Sequence, residues 1–203
     1  LYTPEKALYR FQGQSLSEIR QWQINTRQAL NQTLGFHLLS TVSLSHKKIE
    51  EVDKGDYIRE KILIRTSENS LMPVYMLIPK QGKKPFPIVI ALHGHGYGVK
   101  DIVGLWEDGE ERNTPDGYQK DFAVALCQRG FAVAAPEISC FGERGTDFSY
   151  LNPMFGQQAP TRCAHTRMLA IRLGGSVVGL RVHDGKGLID YLESRQDVDT
   201  TRV

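Results

Sequence analysis

The chain has 203 residues, 40% hydrophobic and 24% charged, enough for one domain with a real core. Its 25 Lys and Arg against 23 Asp and Glu leave a formal net charge of +2, without a basic block, so nothing demands a nucleic-acid or membrane partner. Three cysteines, Cys127, Cys140 and Cys163, are an odd number and no disulfide framework; they point to a reducing, cytoplasmic setting, with a removed signal peptide left open by the absence of an initiator Met.

Residues 15–34 show helical spacing of Leu16, Ile19, Ile24, Ala29, Leu30 and Leu34, with Ser15 or Ser17 as cap and Gly35 as stop. Residues 41–52, 57–66 and 71–79 alternate and carry β-branched or aromatic residues. Turn chemistry at 53–56 and 67–70 separates them, so they should pair antiparallel. A polar loop then delivers Ile88–Leu92, a continuous apolar run expected to be buried on both faces.

Residues 118–129 fit a helix with Phe122, Ala125 and Leu126 inward, closed by Gly130. Phe131–Ala135 reads as a second buried strand ended by Pro136, and 137–160 as irregular. Helices are predicted over 161–173 and over about 176–194, and residues 200–203 read as the start of a strand. Antiparallel strands followed by strand, helix, strand, helix predict an α/β fold whose second half is a parallel sheet. Ligands in such sheets sit beyond the carboxyl ends of the strands, where residues 93–98 lie.

That stretch, His-Gly-His-Gly-Tyr-Gly, admits several chemistries. A phosphate-binding turn would want a third glycine where Val99 stands. A metal site could use His93 and His95 with Glu107, Asp108, Glu110 or Glu111, as in a binuclear metallohydrolase, but the Asp-His pair that usually continues such a motif is replaced by Gly96-Tyr97-Gly98. The glycines could also serve a tight turn alone, with His93 a satisfied core histidine. The fourth reading is an oxyanion loop: the backbone N–H of His95, helped by Gly96, stabilises a developing oxyanion, while His93 and Gly94 shape the loop.

Three segments carry a resemblance: Ile88 through Gly96; Asp121 through Glu137, containing Arg-Gly-Phe-Ala-Val-Ala-Ala-Pro-Glu; and Phe141-Gly-Glu-Arg144. Together with Leu180–Arg195 and the lead into Val203, they resemble the α/β-hydrolase superfamily, and within it the acetyl xylan esterase and dienelactone hydrolase-like branch. The match runs in order over about residues 57–203 and departs at Glu137, where Asp is commoner and the role is structural. The resemblance implies a serine ester hydrolase acting on small acyl esters, acetylated carbohydrate among them, with no cofactor.

Such an enzyme needs a Gly-x-Ser-x-Gly nucleophile turn. Gly174-Gly175-Ser176-Val177-Val178 imitates it, but Val178 stands where glycine belongs and Ser176 reads better as a helix cap. Cys163 and His165 are two apart on a predicted helix and do not face each other; Cys140 has no evident base; His183 reads as partly exposed surface. The expectation is a helical extension over 1–40 and an incomplete α/β-hydrolase domain over 41–203. That domain would hold oxyanion-loop residues but no nucleophile, acid or base, so this chain alone is expected to be inactive. The other readings of the whole are a non-catalytic domain of the same fold and a related serine peptidase.

Overall fold

The computed structural model describes residues 3–151 and 162–203. Strands β1 (His46–Asp53), β2 (Tyr57–Ser67) and β3 (Ser70–Pro79) form an antiparallel meander. Its first turn closes where Asp53 Oδ1 accepts the Gly55 N–H at 2.8 Å, an Asx-type turn. β3 then pairs antiparallel with β5 (Ala132–Pro136), which runs parallel to β4 (Phe86–Ile90), which runs parallel to β6 (Val198–Asp199). The sheet order is β1-β2-β3-β5-β4-β6. The two predicted parallel strands are thus neighbours, with Ile88 opposite Ala132 and Ile90 opposite Ala134.

The two-residue period of the strands divides the core into two layers. Tyr75, Leu77, Val133 and Ala135 face α2 (Phe122–Cys127). Val74, Met76, Ala132 and Ala134 belong to the other layer, with Leu188, Tyr191 and Leu192 of α4 (Val177–Glu193). α3 (Arg162–Arg172) precedes α4, and α1 (Leu16–Leu34) stands before the sheet. A sheet of this order, with helices on both faces, is the α/β-hydrolase arrangement. Among the described residues, no helix is long and apolar enough to cross a membrane.

Of the two caps expected for α1, Ser15 is the one used, and it forms a full capping box: Ser15 Oγ accepts the Glu18 N–H, and Glu18 Oε2 accepts the Ser15 N–H at 2.9 Å. Its apolar stripe is not buried: Leu16, Ile24 and Leu30 are all more than half exposed. It touches α4 instead through its end, where Ser176 Oγ donates to the Leu34 carbonyl at 3.0 Å.

Other expectations shift. β1 starts at His46, not 41, and is an exposed edge strand. α2 starts only at Phe122, after Lys120 and Asp121 in left-handed conformation (φ 50° and 48°), so Ala123 and Cys127 are its buried residues, with Phe122 and Leu126 partly buried beside them. β4 begins at Phe86 and is not enclosed throughout. β6 pairs only with Phe86 and Pro87, so Val89 and Ile90 are half-buried and Leu92 is exposed. The last strand occupies Val198–Asp199 rather than 200–203, because Asp199 Oδ1 captures the Thr201 N–H at 3.0 Å and turns the chain. The predicted irregular stretch 137–160 contains short 3-10 turns at Gly142–Arg144 and Ser149–Leu151; its remainder from 152, and residue 161 of the predicted helix, lie outside the described residues.

Candidate active site

The loop after β4 is anchored almost residue by residue. The Gly94 N–H donates to Gln119 Oε1 at 2.8 Å, and Gln119 Nε2 donates to Asp101 Oδ2 at 2.9 Å. Behind them Arg112, buried, donates to the Asp101 carbonyl at 2.9 Å and to the Asp121 carboxylate. The Tyr118 hydroxyl donates to the His95 carbonyl. At the far end, the Val99 N–H donates to Glu137 Oε1 at 3.0 Å. Burial makes the Gln119–Asp101, Arg112 and Val99–Glu137 bonds matter most, since breaking one leaves a polar group unsatisfied in low dielectric.

Glu137, at the end of β5, is fully buried. Its Oε1 lies 3.0 Å from His93 Nε2, while Oε2 has no hydrogen-bond partner among the described residues. Two glycines make room for it. A β-carbon on Gly98 would stand 2.5 Å from Oε1, and one on Gly142 would overlap Oε2. Both have positive φ, 108° and 45°, a region that glycine enters without strain. The glycines flanking this carboxylate therefore belong to two loops that it joins.

His93 is a buried architectural residue. Its Nδ1 faces the Gly94 carbonyl at 2.9 Å and its Nε2 meets the Ile138 N–H at 3.1 Å, so protein groups engage both nitrogens. His95 is exposed, and its ring packs edge-on against Phe141 at 5.5 Å. His95 and Gly96 line a cleft of about 490 Å³ with Tyr97, Lys100, Phe141 and Cys140. Nothing among the described residues accepts a hydrogen bond from the His95 amide. The loop thus presents His95 and Gly96 to the cleft while Gly94 and His93 hold its base.

The other candidates fall elsewhere. Ser176 caps α4, accepting the Gly179 N–H at 2.8 Å. His183 Nε2 is 2.8 Å from the Thr66 carbonyl. His165 stacks obliquely on Phe148 at 5.0 Å. Glu107, Asp108 and Glu110 are exposed, and Glu111 pairs with Arg59 at 2.5 Å and Lys54 at 2.8 Å, which hold its carboxyl below the usual range through hydrogen bonding. Cys163 accepts from Arg181 at 3.1 Å.

Sequence reasoning missed the anchors Gln119, Tyr118, Asp101 and Arg112. They lie up to 25 residues from the loop they hold, and no short motif signals them. Arg144, within the Phe-Gly-Glu-Arg segment, donates to Asp184 of α4 at 2.5 Å and to Ser70 at 3.0 Å. That contact joins two of the segments that carry the family resemblance.

Comparison with known proteins agrees with the fold. YtaP of Bacillus subtilis (strain 168), a protein named as a hydrolase, is 25% identical over 166 residues, covering 80% of this chain and 48% of that protein. A Bacteroides fragilis structure named as an acetyl xylan esterase superposes with a TM-score of 0.75 at 18% identity, over 96% of this chain and 49% of its own. A glucuronoyl esterase from Solibacter usitatus gives 0.58 at 16% identity, over 100% of this chain and 56% of its own. The chain therefore spans about half the length of the relatives it matches. The profile of the Abhydrolase family, Abhydrolase 7, matches residues 3–203, and the chain belongs to that family.

Proposed function

We propose that this chain is the oxyanion-loop half of a serine-type ester hydrolase acting on small acyl esters, with acetylated carbohydrate as the substrate class. The observation that carries the reading is the anchored loop at the carboxyl end of β4, opening His95 and Gly96 onto the cleft. Ester hydrolysis passes through a tetrahedral intermediate whose charge is best stabilised by N–H groups fixed before the reaction starts. The Gln119, Tyr118 and Glu137 contacts supply that rigidity. The esterase names of the structural relatives agree with it.

On this reading residues 41–203 carry the hydrolase part and residues 1–40 an appended helical segment. The nucleophile, acid and base come from chain beyond Val203, and the chemistry needs no cofactor. The His95 amide is one oxyanion donor, with Gly96 beside it.

The test uses an activated fluorophosphonate and intact mass. The 203-residue chain should not label, and the full-length protein should label once, at a serine beyond Val203. Labelling at Ser176 would overturn the assignment, and a folded but unreactive full-length protein would favour a non-catalytic domain. In that protein His95→Ala should change kcat/KM little, since the amide survives. His95→Pro should lower it about a hundredfold, because it removes an oxyanion donor.

A further inference from the structure

Cys140 and Cys163 are far apart in sequence and meet in the wall of the same cleft. Cys140 lies just beyond β5, 5% exposed, at a φ of 77° that side-chain-bearing residues rarely adopt. The loop is held there by Ser139, which donates to Asp184 Oδ2 at 3.0 Å. Cys163, in the first turn of α3, is half-buried. A single guanidinium nitrogen of Arg181 donates to the Ser139 carbonyl at 3.0 Å and to Cys163 Sγ at 3.1 Å, and so spans the two segments. The Cys140 thiol interacts with both the Cys163 thiol and the Thr166 side chain, and burial keeps its pKa raised. Cys127, by contrast, is sealed under α2, its thiol pushed up to about 12 by burial.

We propose that Cys140 and Cys163 form a dithiol site that a hydroperoxide entering the cleft closes to a disulfide. Cys163, the more exposed sulfur and the one carrying the guanidinium, attacks the peroxide oxygen as thiolate. The O–O bond breaks, the leaving oxygen departs with a proton as water or alcohol, and Cys163 becomes a sulfenic acid. Cys140 sulfur then displaces hydroxide from it, which leaves as water with the Cys140 proton. Two thiols are oxidised and one hydroperoxide is reduced. The bridge ties the loop bearing Phe141, which packs on His95, to α3. This inference stands on the thiol geometry and is independent of the esterase reading.

The test treats the 203-residue chain with a small excess of hydrogen peroxide, then unfolds and alkylates it. The expected product has lost two hydrogens, takes up one alkyl group, at Cys127, and yields a cross-linked peptide containing Cys140 and Cys163. Phenylarsine oxide, which bridges neighbouring thiols, should add once per folded chain and not to Cys140→Ser or Cys163→Ser. Oxidation of Cys163 to sulfinic acid without a cross-link, a bridge involving Cys127, or cross-linking only between chains would overturn the proposal. The wild-type cross-link map decides the matter even if a serine variant misfolds.

Discussion

Glu137 shows how much one side chain can organise. A carboxylate removed wholly from water must be held by specific donors. Here the Val99 N–H donates to it, His93 Nε2, which accepts the Ile138 N–H, lies beside it, and Gly98 and Gly142 leave it space. Gly142→Ala would force a β-carbon onto this carboxylate from a φ of 45° and should destabilise the fold by on the order of 3 kcal/mol. Gly185→Ala is the matched control: nothing lies within 4 Å of the added carbon, and the residue is inside α4. It should be neutral or stabilising by up to about 1 kcal/mol, as helix propensity favours alanine. Urea denaturation of the two variants checks both signs; equal effects would show that the Glu137 cradle is not specially tight.

At the scale of elements, Ser176 illustrates how a motif imitation resolves. A serine after two glycines imitates a nucleophile turn, but Val178 stands where that turn needs glycine, and the cap is the better reading on paper. The structure makes it a cap, with the Gly179 N–H bonded to its Oγ and the hydroxyl donated to the end of α1. One side chain thus starts α4 and attaches α1. Ser176→Ala should cost about 1 kcal/mol from the lost cap, and more if the Leu34 carbonyl is left unpaired. Limited proteolysis should then cut α1 faster than in the wild type, while cleavage in α2 stays unchanged. Equal acceleration at both would mean that α1 does not depend on this contact. The helix needs such an anchor because its exposed Leu16, Ile24 and Leu30 gain nothing from the sheet.

Across the whole molecule, Arg195 joins three elements. It donates to Tyr191 Oη at 2.8 Å, to Glu60 of β2 at 2.8 Å and to Asp197, just before β6, at 2.6 Å. The Arg195 hydrogen bonds hold the half-buried Asp197 carboxyl below its ordinary pKa. A folded-state pKa below the unfolded one stabilises the fold above the unfolded value, near pH 4, and that gain is lost as pH falls through the folded value. The urea midpoint should therefore decline as pH is lowered from about 5 toward 2. Asp197→Asn should be less stable at pH 7 and should decline less steeply below about pH 5. A parallel decline in both proteins would show that Asp197 contributes no pH dependence.

Much of the fold was legible in local pattern. Capping residues, glycine stops and apolar periods are short-range physics, so α1, α4 and the parallel pair β4 and β5 could be placed from the chain alone. Their ends were less legible, because ends depend on partners: β4 opens where β6 stops pairing, and α2 starts late because Lys120 and Asp121 adopt positive φ. Of the candidate site, sequence pattern determined that residues 93–98 form a glycine loop at a strand's carboxyl end. Only the tertiary structure decided which side chains hold that loop, that His93 is buried and His95 exposed, and that Cys140 meets Cys163. Those outcomes depend on contacts between residues 20 to 45 positions apart, whose strength comes from being buried together, and no local spacing encodes that burial.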